Sequence, residues 1–259
     1  MLHRASISMS LLVLAIAGPG LAFAQTGLQP VAYSDGSPAA QAASGSSRID
    51  WDLLNITNAE RAELGLATLA TSEGLSQVAR SHARDMAVRG YVGYADPSGV
   101  SLLDQVRLID RKALIGSFAS SIAVLDADAS PAEIHAAIQS DAANAANLRR
   151  EFTHAGTGTY VSAGRLYVVE LFSRVDGELE QALPVKLSEA TVIRPALAAD
   201  DMTTIGWSLN AADGELLARG SGRRIQSGNQ QPMQGFLNLD VAMGTDVYTL
   251  RGPFIEVNN

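Results

Sequence analysis

The sequence predicts an α+β domain followed by a region of short β-strands. In residues 50–176, helical and strand-like patterns follow each other in the order α-α-α-β-α-β-β, so helices must cover a small antiparallel sheet. From about residue 184 onward, short strand-like runs are separated by Gly, Asn and Asp turns, with no helical period. We therefore predict an α+β domain over residues 50–176 and a β-rich C-terminal module over residues 185–259, expected to fold as a small all-β sandwich.

Composition excludes several classes of function. The chain has 259 residues, of which 47% are hydrophobic, and this length allows a large core. A formal net charge of −8 argues against nucleic-acid binding, which needs a basic surface. The absence of cysteine rules out disulfides, thiolate catalysis and Cys-ligated metals. No apolar run is long enough to span a bilayer, so we expect that this is not an integral membrane protein.

The N-terminus has the pattern of an export signal. Arg4 precedes a short apolar run at residues 11–17, and Ala22-Phe23-Ala24 is the small-x-small pattern that signal peptidase cleaves. We predict a signal peptide over residues 1–24, cut after Ala24, and a secreted or periplasmic protein. Residues 25–49 are rich in Gly, Ser, Pro, Ala and Gln, and are predicted to form a flexible leader.

Three helices are predicted to open the α+β domain, at about residues 51–64, 73–89 and 101–110. Asp50 and Ser72 are suitable N-caps for the first two helices. Gly65 and Gly90 follow their last apolar positions, where glycine ends a helix in the left-handed conformation.

Three strands and one further helix are predicted to complete this domain. The strands are expected at residues 117–125, 155–162 and 165–174. Ala163-Gly164 forms the turn between the last two. Residues 130–133, Ser-Pro-Ala-Glu, are a capping box with Pro at the first helical position, and they predict a helix that runs to about Arg149.

The C-terminal region contains five strand-like runs, at residues 191–194, 203–209, 215–219, 234–241 and 246–251. Four aromatic residues there could form the core of the module or an exposed patch for a partner: Trp207, Phe236, Tyr248 and Phe254.

Six stretches, in this order, resemble one family. They are residues 53–66 (L-N-x-x-N-x-E-R-x-x-x-G-L when reduced), 78–91, 96–99, 145–148, 152–158 and 167–172. Together they resemble the bacterial CAP superfamily, also called SCP-like or cysteine-rich secretory protein-like. The resemblance covers about residues 50–174 and implies a three-layer α-β-α sandwich. It does not cover the C-terminal module.

The resemblance implies a kind of function and a site. CAP proteins are exported and mostly non-enzymatic, with links to lipid or sterol binding, envelope and host interactions and, occasionally, proteolysis. Many have a cleft in which His and Glu bind a divalent metal. In this chain Tyr94 and Ala143 stand at two histidine positions, and Ser120 stands at the glutamate of the family's G-E-N. We therefore predict a degenerate cleft with no metal, no cofactor and no metal-dependent catalysis.

Four residues are candidates for lining the cleft and binding a ligand: Tyr94, Ser120, His154 and Glu170. Glu170 lies on an apolar strand face, so it either pairs with an arginine such as Arg149 or Arg150, or is a cleft carboxylate with a raised pKa. Ser120 and Ser121 point to opposite faces of their strand, so only one of them can face the cleft.

The other histidines have structural interpretations. His82 lies on the apolar face of its helix and is expected to be a hydrogen-bonded core residue. His135 is expected to face solvent. The zincin, nucleophile-elbow and S-x-x-K motifs are absent from the sequence.

We expect an exported, non-catalytic protein that binds a small apolar, lipid-like ligand or a macromolecular partner in the envelope or outside the cell. The first alternative is a metal-independent hydrolase that uses the cleft, for which His154 or His82 should lie within hydrogen-bond reach of a serine and a carboxylate. The second is an interaction scaffold that recognises an envelope or extracellular protein through the β-rich module.

Overall fold

Helices and strands alternate in the first part of the fold, and strands alone make up the rest. The computed structural model describes residues 38–188, 191–225 and 232–258. The helices in these ranges are α1 (Pro38–Glu63), α2 (Glu73–Arg89), α3 (Leu102–Ile109), α4 (Pro131–Gln139) and α5 (Ala142–Leu148). The strands are β1 (Ala70–Thr71), β2 (Ala113–Asp126), β3 (His154–Ser162), β4 (Arg165–Leu179), β5 (Lys186–Ser188), β6 (Pro195–Leu197), β7 (Met202–Asn210), β8 (Leu216–Ser221), β9 (Met233–Met243) and β10 (Asp246–Asn258).

Helix α1 is longer than the sequence predicted. It begins at Pro38, inside the predicted leader, because the alanines after Pro38 favour a helix and proline is tolerated in a first turn. Asp50 is therefore an interior residue of α1 and not its N-cap. The predicted end is confirmed, since Gly65 has a φ of 73° just beyond the helix. The predicted signal peptide and residues 25–37 lie outside the described residues.

The caps of α2 and α4 are confirmed, whereas the predicted helix from 130 to Arg149 is wrong in one respect. Ser130 and Glu133 form the capping box, but α4 ends at Gln139. The side chain of Asp141 accepts hydrogen bonds from the backbone N–H groups of Ala143 and Asn144 and so begins a separate helix, α5. An Asp side chain can bond nearby backbone N–H groups and so interrupt a helix, even where the surrounding residues favour one.

Helices cover both faces of the sheet formed by β3, β4 and β2. Alternate residues of β4 point to opposite faces. Leu166 and Val168 belong to a core cluster with Leu53 of α1 and two isoleucines of α4. Val169 and Leu171 belong to another cluster, formed with α2 and α3. We call these the α1 face and the α2 face.

Two glycines of β3 allow α2 to pack directly on the strand. A Cβ atom at Gly158 would lie 2.0 Å from the backbone nitrogen of Arg80, and one at Gly156 would lie 2.3 Å from that of Ser76. Helix α2 therefore lies over β3, and β2, which lies beyond β4 in the sheet, is less covered on this face. Residues 113–126 are mostly half-buried.

The C-terminal strands continue the sheet of the α+β domain, so the prediction of a separate small sandwich is wrong. The strand order is β1-β3-β4-β2-β10-β9-β7-β8, with β5 paired to β10 and β6 paired to β4. The pairing of Arg251 with Ile115 joins the two parts of the sheet. Without it β2 would present an unpaired edge. Residues 36–259 form one compact unit.

The aromatic residues of the C-terminal strands divide between core and surface. Trp207 is 2% exposed in a large apolar cluster with the leucines of β9, and Phe236 is 5% exposed. Phe254 is half-buried and contacts Phe236 edge to face. Tyr248 is 41% exposed. The core interpretation is therefore confirmed for Trp207 and Phe236, and Tyr248 is the exposed member of this group.

Candidate functional site

Glu170 is a buried acid without a hydrogen-bonding partner in the described part of the chain. It lies in the middle of β4 on the α1 face and is 3% exposed. Its direct neighbours across the sheet are Thr157 on β3 and Ser121 on β2. Burial raises the pKa of Glu170 to about 7, because desolvation penalises the charged form.

The arginine pairing considered for Glu170 does not occur among the described residues. Arg149 donates to the carbonyl oxygen of Ala145 instead. The Arg150 guanidinium lies 4.8 Å from the ring centroid of Phe152. A carboxyl with a pKa near 7 could exchange a proton near neutral pH, but its burial leaves almost no access for a substrate.

A half-buried strip of β2 residues lies on the α2 face. Ser120 pairs with Leu171 and therefore points to this face, whereas Ser121 pairs with Glu170 and points to the other. The prediction that the two serines face opposite ways is confirmed. We call Ser120 and the residues that alternate with it the β2 strip, and all of them are half-buried: Phe118, Ser120, Ile122 and Val124.

His154 and Tyr94 lie on the α2 side of the molecule. His154 pairs with Ser173, which places it on the α2 face, and its Nδ1 lies 2.8 Å from Oγ1 of Thr153. Tyr94, in the loop after α2, is 53% exposed. Tyr94, Ser120 and His154 are thus separated from Glu170 by the sheet. The four predicted residues do not line one surface, and their roles in ligand binding stay predictions.

The residues at the resembled metal positions do not fit a metal ion. Tyr94 offers an exposed phenol, Ser120 offers a neutral hydroxyl, and Ala143 offers no donor at all. Ala143 is exposed, whereas Asn144 beside it is buried. Among the described residues, no three His, Asp or Glu side chains stand close enough together to hold a metal.

The histidine environments differ from a catalytic triad. His82 is 1% exposed and its Nε2 lies 2.7 Å from the carbonyl oxygen of Gly93, which confirms the core interpretation. The expectation that His135 faces solvent is wrong, because it is 9% exposed and its Nε2 contacts Oε2 of Glu60 at 2.7 Å. Within the described ranges, no histidine has both a serine hydroxyl and a carboxylate in reach.

The polar residues of the N-x-E-R stretch are structural. Asn58 exchanges two hydrogen bonds with the backbone of Leu69. Arg61 is 1% exposed and donates to the carbonyl oxygens of Ala67, Leu148, Arg150 and Phe152. These contacts fasten α1 to the segment that enters β3.

Arg107 is a buried cation that the sequence analysis missed. It is 7% exposed on α3 and donates to backbone carbonyls of Gly252 and Leu237. The only sequence signal is its position one residue after the apolar Val106, which does not distinguish a buried arginine from a solvated one. Its partners lie far along the chain and could not be located from the sequence.

Over the residues that the structure describes, no helix has both the length and the apolar character needed to cross a membrane.

Comparison with known proteins identifies the domain. The family model of the cysteine-rich secretory protein family, CAP, matches residues 54–172. A sequence search of curated proteins gives no match. One similar solved structure is an extracellular protein containing a SCP domain from Bacillus anthracis str. Ames, with 18% identity, 55% of this chain covered and a TM-score of 0.45. This chain spans 45% of that protein's length.

Another similar structure is an outer surface protein from Borrelia burgdorferi, with 14% identity and a TM-score of 0.43. The match covers 48% of this chain and 90% of that protein. The family match lies on the segment that runs from α1 to β4 and includes all six resembling stretches apart from Leu53. Residues 54–172 of this chain therefore match the cysteine-rich secretory protein (CAP) family.

Proposed function

We propose that this protein is an exported, non-catalytic CAP-domain protein that binds a small apolar, lipid-like ligand along the β2 strip. The observation that carries the proposal is the chemistry of the strip. Phe118, Ile122 and Val124 are half-buried on one face of β2, and the neutral Ser120 lies among them. Phe118 and Ile122 pack with one side against the core cluster of α2 and α3. Partly exposed apolar side chains side by side on a sheet are the kind of surface that an apolar ligand can cover.

The packing of α2 supports this assignment. Because Gly156 and Gly158 bring α2 close to β3, the helix covers that strand and leaves the β2 strip partly open. A glutamate at position 120 would make the same surface costly to desolvate, since an unpaired carboxylate loses its hydration when an apolar ligand covers it. With Ser120 in its place, this cost is small.

Tyr94 is assigned to the edge of the same surface. Its backbone carbonyl accepts a hydrogen bond from the N–H of Leu102. Leu102 belongs to the core cluster that contains Val169 and Leu171, the β4 residues paired with Ile122 and Ser120. The exposed ring of Tyr94 offers an apolar face and a polar tip, which suits the boundary between a ligand and water.

The arrangement of acids and histidines supports a non-catalytic role. Glu170 has the pKa of a general acid or base, but it is buried on the α1 face, away from the strip. His154 contacts Thr153 and His82 contacts Gly93, and neither histidine adjoins a carboxylate among the described residues. The proposed export follows from the signal-peptide pattern of residues 1–24.

The proposal is tested by titrating the protein with Nile red, a neutral apolar fluorescent dye. Saturable binding to the wild type is expected, with Ser120→Glu weakening it at least about tenfold because a carboxylate must be desolvated. Ser120→Ala should bind as the wild type does. Ser162→Glu, a half-buried serine at the β3–β4 hairpin, is the matched control for added charge. Wild-type affinity in Ser120→Glu would refute the assignment of the strip.

A further inference from the structure

A polar groove lies where α3 meets the C-terminal strands, apart from the β2 strip. Its volume is about 270 Å³. We call it the arginine groove, because its lining includes Arg107 of α3 and Arg251 of β10. The other polar residues that line it are Asp104, Asn210, Asn238 and Thr249.

Strand register places the sheet side of this groove on one face. Asn238 pairs with Ser208 and with Arg251. Asn210 pairs with Phe236, two residues before Asn238 on β9. Directly paired residues share a face of a sheet, so these side chains project together toward α3. The groove is therefore built from regular structure and not from loops alone.

Arg107 is held rigidly at this position. Its Nε donates to Gly252 at 2.7 Å, and its Nη2 donates at 2.8 Å to the Leu237 carbonyl and to Oδ1 of Asn238. The guanidinium carbon lies 4.6 Å from the ring centroid of Phe236. Burial lowers the pKa of Arg107 to about 10, so the side chain remains charged at neutral pH.

Asp104 also lines the groove, and its negative charge favours the charged form of Arg107 without a direct contact. No carboxylate of the described residues forms an ion pair with Arg107 or Arg251. Asp104 accepts from the Ser101 hydroxyl, and Asp240 on β9 accepts from the Thr249 hydroxyl. A buried cation without a direct ion pair gains from a hydrogen-bonded anion beside it.

Hydrogen-bond donors also remain free for a ligand. The Nη1 of Arg107 donates to no described residue. Arg251 uses its Nη1 to bond the carbonyl oxygen of Gly116 at 3.0 Å, and its Nε and Nη2 have no partner in the described part of the chain. Two guanidinium groups with free N–H donors match the acceptor oxygens of a carboxylate or a phosphate.

We propose that the arginine groove binds a small polar ligand through an oxyanion group, either a carboxylate or a phosphate. Arg107 and Arg251 contact the oxyanion, and the Asn210 and Asn238 amides face the rest of the ligand. The volume is slightly below the roughly 300–1,000 Å³ of pockets that hold drug-sized ligands, so the ligand is small. This inference is independent of the apolar ligand proposed for the β2 strip.

The test is a nuclear magnetic resonance titration that follows the arginine Nε–Hε signals of the isotope-labelled protein. Sodium phosphate and sodium acetate are the probes, and sodium chloride at equal ionic strength corrects for screening. The Arg107 Nε–Hε signal should shift saturably with at least one probe. A response to acetate alone identifies a carboxylate ligand, a response to phosphate alone identifies a phosphate, and a response to both confirms a general oxyanion site.

Arg251→Gln removes one positive charge and keeps a donor for Gly116, and it should weaken binding at least about tenfold. Arg149→Gln, at an exposed arginine that follows α5, should leave binding unchanged. An absence of saturable shifts in the wild type with both probes would overturn the proposal, as would wild-type affinity in Arg251→Gln. The wild-type titration decides the question even if Arg251→Gln fails to fold.

Discussion

At the scale of single residues, the most recognisable polar motif of the chain holds the fold together. Asn58, Glu60 and Arg61 lie within one turn of α1, and each bonds a different segment: Leu69, His135 and the carbonyls that precede β3. Arg61 has the partners that are most distant in sequence. Its guanidinium donates to four backbone carbonyl oxygens in place of water. The planar fork of arginine suits this task better than a lysine would.

We expect Arg61→Met to lower the free energy of unfolding by about 3 kcal/mol, because buried carbonyl oxygens lose their donors. Urea titration measures this change. Arg84→Met, at an exposed position of α2, is the control and should change stability by less than about 0.5 kcal/mol. Equal effects of the two substitutions would contradict the structural role of Arg61.

Glu170 predicts a pH dependence of stability. The pKa of Glu170 is about 7 in the folded protein and near the ordinary value of 4.5 in the unfolded chain, so the folded state binds the extra proton. The stability from this group is full below pH 4.5 and falls as pH rises toward 7. Glu170→Gln removes the ionisation. It should therefore gain stability over the wild type across this range, reaching about 3 kcal/mol near neutral pH and above.

Denaturation at a series of pH values measures this difference. Asp50, whose pKa is raised to about 6, titrates equally in both proteins and cancels. Glu178→Gln, at an exposed acid of the same strand, is the control and should show no pH-dependent gain. A stability difference that stays constant from acidic to neutral pH would show that Glu170 is not buried as an acid.

At the scale of elements, the site depends on how close α2 comes to β3. We expect Gly158→Ala to destabilise the protein by about 1–3 kcal/mol, because the added methyl group would meet the backbone of Arg80. Thermal and urea unfolding measure the effect. Gly93→Ala adds the same atom where the nearest neighbour is 3.8 Å away and should be nearly neutral. A neutral Gly158→Ala would mean that α2 is not packed on the strand.

Local signals predicted the elements well. Ser130 with Glu133, Ser72 and Gly90 set helix ends through short-range hydrogen bonds, so the sequence reveals them. The break at Asp141 was missed because the sequence does not show whether an Asp side chain bonds the backbone N–H groups that follow it or faces solvent. Here it bonds those of Ala143 and Asn144 and begins a new helix. The alternation of side chains along a strand placed Ser120 and Ser121 correctly on opposite faces. The position of Glu170 relative to Ser120 required the register between β2 and β4.

At the scale of the whole molecule, the C-terminal strands and the CAP domain share one sheet. Long-range pairing could not be predicted, because the contact between Arg251 and Ile115 and the bonds from Arg107 join residues far apart in sequence. Arg111 adds further bonds, to the carbonyls of Leu183 and Phe254. The lack of a metal-binding atom in the side chain of Ala143 follows from its residue type alone, wherever it lies.

This shared sheet predicts cooperative unfolding. Calorimetry of the full chain should give a single transition with equal calorimetric and van't Hoff enthalpies, because the strands after residue 185 belong to the same sheet and compact unit as the rest. Two resolved transitions would contradict the continuous sheet. Truncation before residue 185 should yield an unstable product, since it removes the acceptors of Arg107 and exposes the β2 edge.

The most direct test of the proposed function is native mass spectrometry of the protein purified from its own host without refolding. The account predicts a non-covalent adduct that gentle activation releases as an apolar small molecule, and the loss of this adduct in Ser120→Glu. Bound zinc or calcium would contradict the interpretation of the metal positions. A wild-type protein with no adduct would contradict the apolar ligand.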